Sequence, residues 1–202
     1  AHASIVDRAR LSGAKLRVFW HNDVGELADI LKWAEKVQSS QSTGHSRPRV
    51  LVVTESVFSM DGDCAPLREI VELKNKYGAW LMVDEAHATG LYGKHRRGLA
   101  EEMGVSEEID VQMGTLGKAL GASGGYIAGS RTLIDYLVNR ARSFIFSTAP
   151  VPAAAAAATA GIRFVQCQLG EARKNLLWER VKEFHASHDA PIPQFLSAII
   201  PI

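Results

Sequence analysis

Val83-Asp84-Glu85-Ala86-His87 follows a short apolar run and places an acid and an imidazole at its end. A second stretch, Met113 to Gly121, carries Lys118 in a loop of small residues after the next apolar run. Short, continuous apolar runs predict buried strands of a parallel sheet. Because ligands collect at the carboxyl ends of such strands, we expect Asp84, His87 and Lys118 to lie at one rim.

Strands and helices alternate along the whole chain. The predicted strands are Lys15–Trp20, Val50–Thr54, Trp80–Val83, Asp110–Met113 and Gly125–Ala128. The predicted helices are Asp23–Val37, Ala65–Tyr77, Thr132–Arg142 and a long one over Pro152–His185, with a bend at Gly161 or Gly170. This alternation predicts an α/β fold with a mostly parallel sheet flanked by helices.

Composition excludes several classes of protein. The 202 residues are 47% hydrophobic and 22% charged, with a net charge of +1, as in ordinary globular proteins. The near-zero charge gives no support for a nucleic-acid or membrane partner, and no stretch is long and apolar enough to span a membrane. Cys64 and Cys167 lack the spacing of a metal site, so we expect reduced thiols, no metal and a cytoplasmic location.

The three groups at the predicted rim suit a cofactor that acts as an electron sink. Such a cofactor needs a lysine for a Schiff base and an aspartate that keeps its pyridine nitrogen protonated. Each residue alone has a common structural role: Asp84 as a helix cap or ion-pair partner, His87 as a core histidine, Lys118 as a surface lysine. Their occurrence together favours the cofactor site.

Asp84 to His87 also matches the magnesium-binding box of nucleic-acid helicases. That reading requires a phosphate loop, G-x-x-x-x-G-K-[ST], upstream of the box. The nearest string, Gly114 to Ala119, is too short, lacks a Ser or Thr after the lysine and lies downstream. A nucleotide-driven helicase is therefore excluded.

Several further motifs carry a resemblance to a known family. They are His21-Asn22-Asp23, Thr54 to Asp63, Val83 to Gly90, Gly114 to Gly125 and Phe144 to Thr148. In this order they resemble the α-oxoamine synthases, pyridoxal-phosphate (PLP) enzymes of fold type I, over most of residues 2–150. The resemblance is strongest to the branch that makes 8-amino-7-oxononanoate.

The resemblance implies a role for each matching residue. Lys118 would form the Schiff base with the cofactor and take the substrate Cα proton. Asp84 would pair with the pyridine nitrogen, and His87 and Ser59 would bond the phenolic oxygen.

The phosphate contacts implied by the resemblance come from two places. Thr115 would bind the phosphate within its own subunit. Ser147 and Thr148 would reach the phosphate of the partner subunit, which implies a homodimer with a shared active site.

The implied reaction is the decarboxylative condensation of L-alanine with pimeloyl-CoA or pimeloyl-ACP, a step of biotin biosynthesis. The alternative is glycine C-acetyltransferase, also called 2-amino-3-ketobutyrate CoA ligase, or another α-oxoamine synthase. A non-catalytic partner subunit is a third possibility. Such subunits typically lose the lysine, so the presence of Lys118, Asp84 and His87 argues against it.

The resemblance also implies a domain organisation. Residues 1–150 would be part of a PLP-binding large domain, 151–189 a long connecting helix, and 190–202 the start of a truncated small domain. In the family, a ring-stacking histidine precedes the matching region and a substrate-binding arginine follows it. We therefore expect a fragment that is inactive alone.

Overall fold

A four-stranded sheet with helices around it forms the centre of the fold. The computed structural model describes residues 1–40, 49–188 and 195–201. The strands are β1 (Leu51–Glu55), β2 (Trp80–Asp84), β3 (Val111–Thr115) and β4 (Gly125–Gly129). The helices are α1 (Ala3–Leu11), α2 (Val24–Ser40), α3 (Leu67–Tyr77), α4 (Leu99–Glu102), α5 (Arg131–Arg140), α6 (Arg142–Ile145), α7 (Pro152–Gln166) and α8 (Gln168–Ser187), with a 3-10 turn at Ser106–Glu108.

The sheet is mostly parallel, as predicted. Its order is β1-β2-β3-β4, with β1, β2 and β3 parallel and β4 antiparallel to β3. Glu55 pairs with Asp84, and Asp84 pairs with Met113. The register therefore brings the carboxyl ends of β1, β2 and β3 to one rim, where the predicted site residues follow.

The core lies between this sheet and the helices beside it. Leu81 and Val83 of β2 are fully buried, and α3 contributes Leu67 and Ile70 to the same cluster. The alternating apolar residues of β2 thus supply a buried face, while the strand continues directly into Asp84. Packing of apolar side chains around β2 fixes where that acid emerges.

The predicted strand Lys15–Trp20 is wrong. These residues belong to no strand, and Val18 and Trp20 are exposed. The cationic groups of Lys15 and Arg17 lie 4.7 and 4.5 Å from the ring centroid of Trp33 in α2. The segment therefore lies along a helix through cation–π contacts, which alternating apolar residues also permit.

The single helix predicted over residues 152–185 is two helices. The break between α7 and α8 falls at Cys167, whose backbone is extended, and not at Gly161 or Gly170. A Cβ on Gly170 would lie 2.2 Å from the Phe164 carbonyl oxygen. The absence of a side chain at Gly170 instead lets the start of α8 approach the end of α7.

The C-terminal segment packs on the same core. Of the predicted small-domain start at 190–202, residues 190–194 and 202 lie outside the described residues. Phe195 and Ile199 pack against the core, and the Tyr92 hydroxyl donates a hydrogen bond to the Leu196 carbonyl. The proposed domain boundaries remain a prediction. Within the described ranges, no helix has the length and apolar character that crossing a membrane requires.

Candidate active site

Asp84 is fixed at the end of β2 by hydrogen bonds on several sides. Its side chain is buried, and Oδ1 accepts a hydrogen bond from the Ala86 backbone N–H at 2.9 Å. Its carbonyl oxygen accepts from the Ser56 N–H at 2.9 Å and from the Ser56 hydroxyl at 3.1 Å. The acid therefore stays in one orientation at the rim.

His87 and Lys118 lie at the same rim and are in direct contact. The His87 Nε2 atom lies 2.7 Å from Lys118 Nζ. Burial, and next the Lys118 ammonium, lower the pKa of His87, so the neutral imidazole is favoured. A neutral Nε2 can accept a hydrogen bond from the ammonium.

The loop that carries Lys118 is closed by its own hydrogen bonds. The Thr115 hydroxyl donates to the Gly124 carbonyl at 3.2 Å and accepts from the Gly117 N–H at 3.1 Å. The structure thus places Thr115 at the end of β3, where a phosphate ligand is expected. In this conformation its hydroxyl stabilises the turn that presents Lys118.

Two glycines allow neighbouring segments to pack against the Lys118 loop. A Cβ on Gly90 would lie 2.9 Å from the Ala119 Cβ. A Cβ on Gly161 of α7 would lie 2.1 Å from the Leu120 carbonyl oxygen. The two residues that follow Lys118 are therefore held between the turn that follows His87 and the middle of α7.

Ser59 follows β1 and lies at the same end of the sheet. It is half-buried, and its N–H donates to Glu55 Oε2 at 3.4 Å. Its hydroxyl remains a predicted ligand of the cofactor's phenolic oxygen.

Ser147 and Thr148 are placed differently. Both are exposed between α6 and α7, and the Ser147 hydroxyl donates to the Ser143 carbonyl of α6. Within the described residues, no hydrogen bond joins either hydroxyl to Asp84, His87 or Lys118. Their predicted role in the partner subunit's site therefore has no counterpart within a single chain.

The sequence prediction missed two buried acids, Glu55 and Glu85, which are 4% and 1% exposed. Burial raises the pKa of Glu85, while hydrogen bonds from the Ala100 and Leu99 backbone N–H groups oppose that rise. The available signal was the position of both acids directly after or beside apolar strands.

The His21-Asn22-Asp23 motif has a structural explanation. His21 Nε2 lies 2.7 Å from Asp63 Oδ2, and the Asn22 side-chain amide donates to the same oxygen at 2.8 Å. Asp23 Oδ1 accepts from the Glu26 N–H at 2.8 Å, which caps α2. These contacts join the start of α2 to the loop after β1.

The residues at the rim fit the cofactor that the resemblance implies. A buried carboxylate needs a cationic partner or donors, and a protonated pyridine nitrogen would supply one to Asp84. Lys118 presents its amine from a loop of small residues beside the neutral His87. Asp84, His87, Lys118, Ser59 and Thr115 all follow or end strands at this rim.

Comparison with known proteins agrees with this architecture. The family model described as aminotransferase class I and II matches residues 1–193. The 8-amino-7-oxononanoate synthase of Geotalea daltonii is 52% identical over 176 residues, 87% of this chain and 42% of the relative. That of Anaeromyxobacter sp. strain Fw109-5 is 56% identical over 148 residues, 73% of this chain and 34% of the relative.

Solved structures give the same picture. A serine palmitoyltransferase from S. paucimobilis with a bound PLP–myriocin aldimine has a TM-score of 0.83 at 32% identity, covering 94% of this chain and 44% of that one. The 8-amino-7-oxononanoate synthase of Francisella tularensis has a TM-score of 0.75 at 28% identity, covering 97% of this chain and 54% of that one. The fold type I prediction is confirmed.

The chain spans less than half the length of the curated relatives it matches. Both kinds of relative are α-oxoamine synthases, so the resemblance found in the sequence is confirmed. With the family model matched over nearly the whole chain, this protein belongs to the aminotransferase class I and II family.

Proposed function

We propose that this chain is part of a PLP-dependent acyltransferase that condenses L-alanine with a pimeloyl thioester to give 8-amino-7-oxononanoate, carbon dioxide and the free thiol carrier. The observation that carries the proposal is the 2.7 Å contact between His87 and Lys118, next to the buried Asp84. The identity of 45–56% to 8-amino-7-oxononanoate synthases supports this choice of reaction. The carrier of the acyl group is CoA or acyl carrier protein.

When bound, the cofactor supplies an electron sink for the carbanion formed at the substrate Cα. Asp84 would hold a proton on its pyridine nitrogen, because a buried carboxylate stabilises a neighbouring cation. His87 and Ser59 would bond its phenolic oxygen. Thr115 would bond its phosphate, exchanging the contact that its hydroxyl now makes with Gly124.

Lys118 would attach the cofactor covalently and later carry a proton. Both tasks require a neutral amine, since an ammonium has no free electron pair. The neutral His87 accepts a hydrogen bond from Nζ, and the small residues around the loop leave room for close approach of a ligand. With its amine free, Lys118 would take the proton from the substrate Cα.

The proposed enzyme is a homodimer with a shared active site. Ser147 and Thr148 are exposed beside exposed apolar side chains, namely Phe144, Phe146 and Val151. A two-fold interface over this surface would bury the apolar groups and carry both hydroxyls to the partner subunit's cofactor phosphate.

The covalent attachment is tested by reduction. Full-length protein loaded with PLP is treated with borohydride, digested and analysed by mass spectrometry. We expect the reduced adduct on Lys118, because its amine is the one held beside His87. An adduct on the exposed Lys94, which lies in a neighbouring loop, would overturn the assignment.

The substrate is tested by comparing kcat/KM for two pairs, L-alanine with pimeloyl-CoA and glycine with acetyl-CoA. We expect the alanine pair to win by roughly 10–200-fold, the range that small differences in apolar pockets provide. A preference for the glycine pair would move the protein to glycine C-acetyltransferase. The PLP site would stand in either case.

A further inference from the structure

The Glu85 side chain makes contacts that the proposed chemistry does not use. Its carboxylate is buried, and its two oxygens accept separate hydrogen bonds, Oε2 from the Leu99 N–H at 3.0 Å and Oε1 from the Ala100 N–H at 2.9 Å. These amides belong to the first turn of α4, where backbone donors lack helical partners. Glu85 therefore caps a helix that begins well after it in the sequence.

The Glu85 backbone links two further elements. Its N–H donates to the Met113 carbonyl of β3 at 2.8 Å. Its carbonyl accepts from the Ala88 and Thr89 N–H groups, each at 2.9 Å, and from the Thr89 hydroxyl at 3.0 Å. Those three bonds define the turn that contains His87. One residue thus ties β3, α4 and the His87 turn together.

We propose that Glu85 is a positioning residue that holds Asp84 and His87 in their places relative to Lys118, and so sets how tightly the cofactor binds. Glu85 directly follows Asp84 and begins the turn of His87, so a shift of its backbone moves both. Gly98 leaves room for the Glu85 carboxylate beside the start of α4, since a Cβ there would lie 2.5 Å from the Glu85 Cδ. The inference rests on the proposed function.

The variant Glu85→Gln changes the hydrogen bonds of the side chain while it keeps the side-chain volume. The amide keeps one acceptor oxygen and replaces the other with an NH2 group that faces a backbone N–H. The side-chain NH2 group and a backbone N–H would then face each other in a buried position without an acceptor. Either the His87 turn or α4 must move to relieve this conflict. Leu99→Val is the matched control, because it removes core volume at the same contact and leaves the backbone N–H in place.

The first measurement is the titration of His87 in full-length, cofactor-free protein, using the histidine resonance that is lost in His87→Asn. The charged and titratable groups that act on His87 are Lys118, Glu55, Asp84 and His2. If Glu85→Gln shifts the turn away from Lys118 and into solvent, the pKa of His87 rises. A purely structural role of Glu85 would leave the pKa of His87 unchanged. That result, or a fall in the pKa, overturns the proposal.

The second measurement is the dissociation constant of PLP. We expect a rise of at least about tenfold in Glu85→Gln, the effect of one lost hydrogen bond to a charged group, and a change of less than about twofold in Leu99→Val at a similar loss of Tm. Equal changes in both variants would reduce Glu85 to a stabilising residue and overturn the proposal. If Glu85→Gln does not fold, Glu85→Asp, which keeps both acceptor oxygens but retracts them, is judged by the same two measurements.

These outcomes are distinct from failure of the proposed function. If wild-type protein is not trapped by borohydride at Lys118, the PLP function fails. If wild type is trapped and Glu85→Gln keeps wild-type affinity and His87 titration, only the positioning role fails.

Discussion

The two halves of the proposed site differ in burial. One half is the rim of β1 and β2, and the other is the region from β4 to the start of α7. Asp84 and Glu85 are almost fully buried and bonded on several sides. In the second region β4 is mostly exposed, and α5 and α6 contain no buried residue. The first half is held together by contacts within the chain. In the second half, the proposed phosphate ligands Ser147 and Thr148 lie on an exposed surface.

This difference shows how each half is determined. Asp84 and His87 are positioned by the strand that precedes them and by the neighbouring strands. Ser147 and Thr148 follow a four-residue helix whose apolar side chains, such as Phe146 at 70% exposure, face outward. Their proposed function therefore depends on a second subunit that covers this surface.

The largest effect is expected at the buried half, from Asp84→Asn. A neutral amide no longer favours a protonated pyridine nitrogen, and breaking a buried charge pair costs about 3–5 kcal/mol, roughly 10²–10⁴-fold in rate. Exchange of the L-alanine Cα proton with solvent in full-length enzyme measures it. The exposed Asp29 of α2 gives the control, Asp29→Asn, which should exchange at the wild-type rate. Wild-type exchange in Asp84→Asn would make Asp84 a structural residue only.

The next effect concerns the rigidity of the same half. Gly98→Ala and Gly104→Ala both place a side chain at a positive φ, +144° and +72°. Only at Gly98 does the new Cβ meet an atom, the Glu85 carboxyl, whereas nothing lies within 4 Å of it at Gly104. We expect Gly98→Ala to lower the free energy of unfolding by roughly 1–3 kcal/mol more than Gly104→Ala, measured by chemical denaturation. Equal losses of unfolding free energy in the two variants would mean that the residues around Glu85 can shift at little cost.

The third prediction tests the open half. Thr148→Ala should weaken binding of the cofactor in the other subunit by about 1.5–3 kcal/mol, the cost of one hydrogen bond to a charged phosphate. Full-length Thr148→Ala and Lys118→Ala subunits are mixed and allowed to exchange. In the mixed dimer both lesions fall in one site and the other site is intact, so activity should reappear.

The Thr148→Ala homodimer and the Lys118→Ala homodimer, each taken through the same exchange alone, are the controls. If heterodimers form and activity does not return, Thr148 acts within its own subunit. The two halves of the site would then belong to one chain.

The smallest effect concerns pH. Burial and the Lys118 ammonium lower the pKa of His87, so below its ordinary value of 6.5 the unfolded chain binds a proton more readily than the folded one. Stability from this group is present above that pH and is lost as the pH falls toward the lower folded-state pKa. The Tm of His87→Gln should depend less on pH in this window than that of wild type. His188→Gln, at an exposed position, is the control and should keep the wild-type slope.

Strand positions and the rim could be predicted because they follow from short apolar runs. The sequence around β2 is apolar up to Asp84, and the structure ends the strand at that residue. The Lys15–Trp20 run has a similar alternation but lies along α2. Alternation of apolar and polar residues indicates an extended segment. Whether that segment joins a sheet depends on whether a neighbouring strand is free to pair with it.

The role of Glu85 could not be predicted for a different reason. Its partners are the backbone N–H groups of Leu99 and Ala100, and a backbone amide leaves no mark on the residue type. The break at Cys167 could not be predicted from the sequence either, because cysteine has no strong preference for ending a helix. The glycines nearby suggested a bend, but Gly161 and Gly170 serve close packing instead.

The close packing at Gly161 makes the Lys118 loop sensitive to helix residues that have no role in the proposed chemistry. A single methyl group there would press on the Leu120 carbonyl, and one at Gly90 would press on Ala119, on the other side of the same loop. The loop that carries Lys118 therefore packs tightly only because both neighbouring positions, Gly90 and Gly161, lack a side chain. In any attempt to redesign the proposed enzyme for a bulkier substrate, these two glycines limit which substitutions the loop tolerates, so space has to be created on the exposed side of the site.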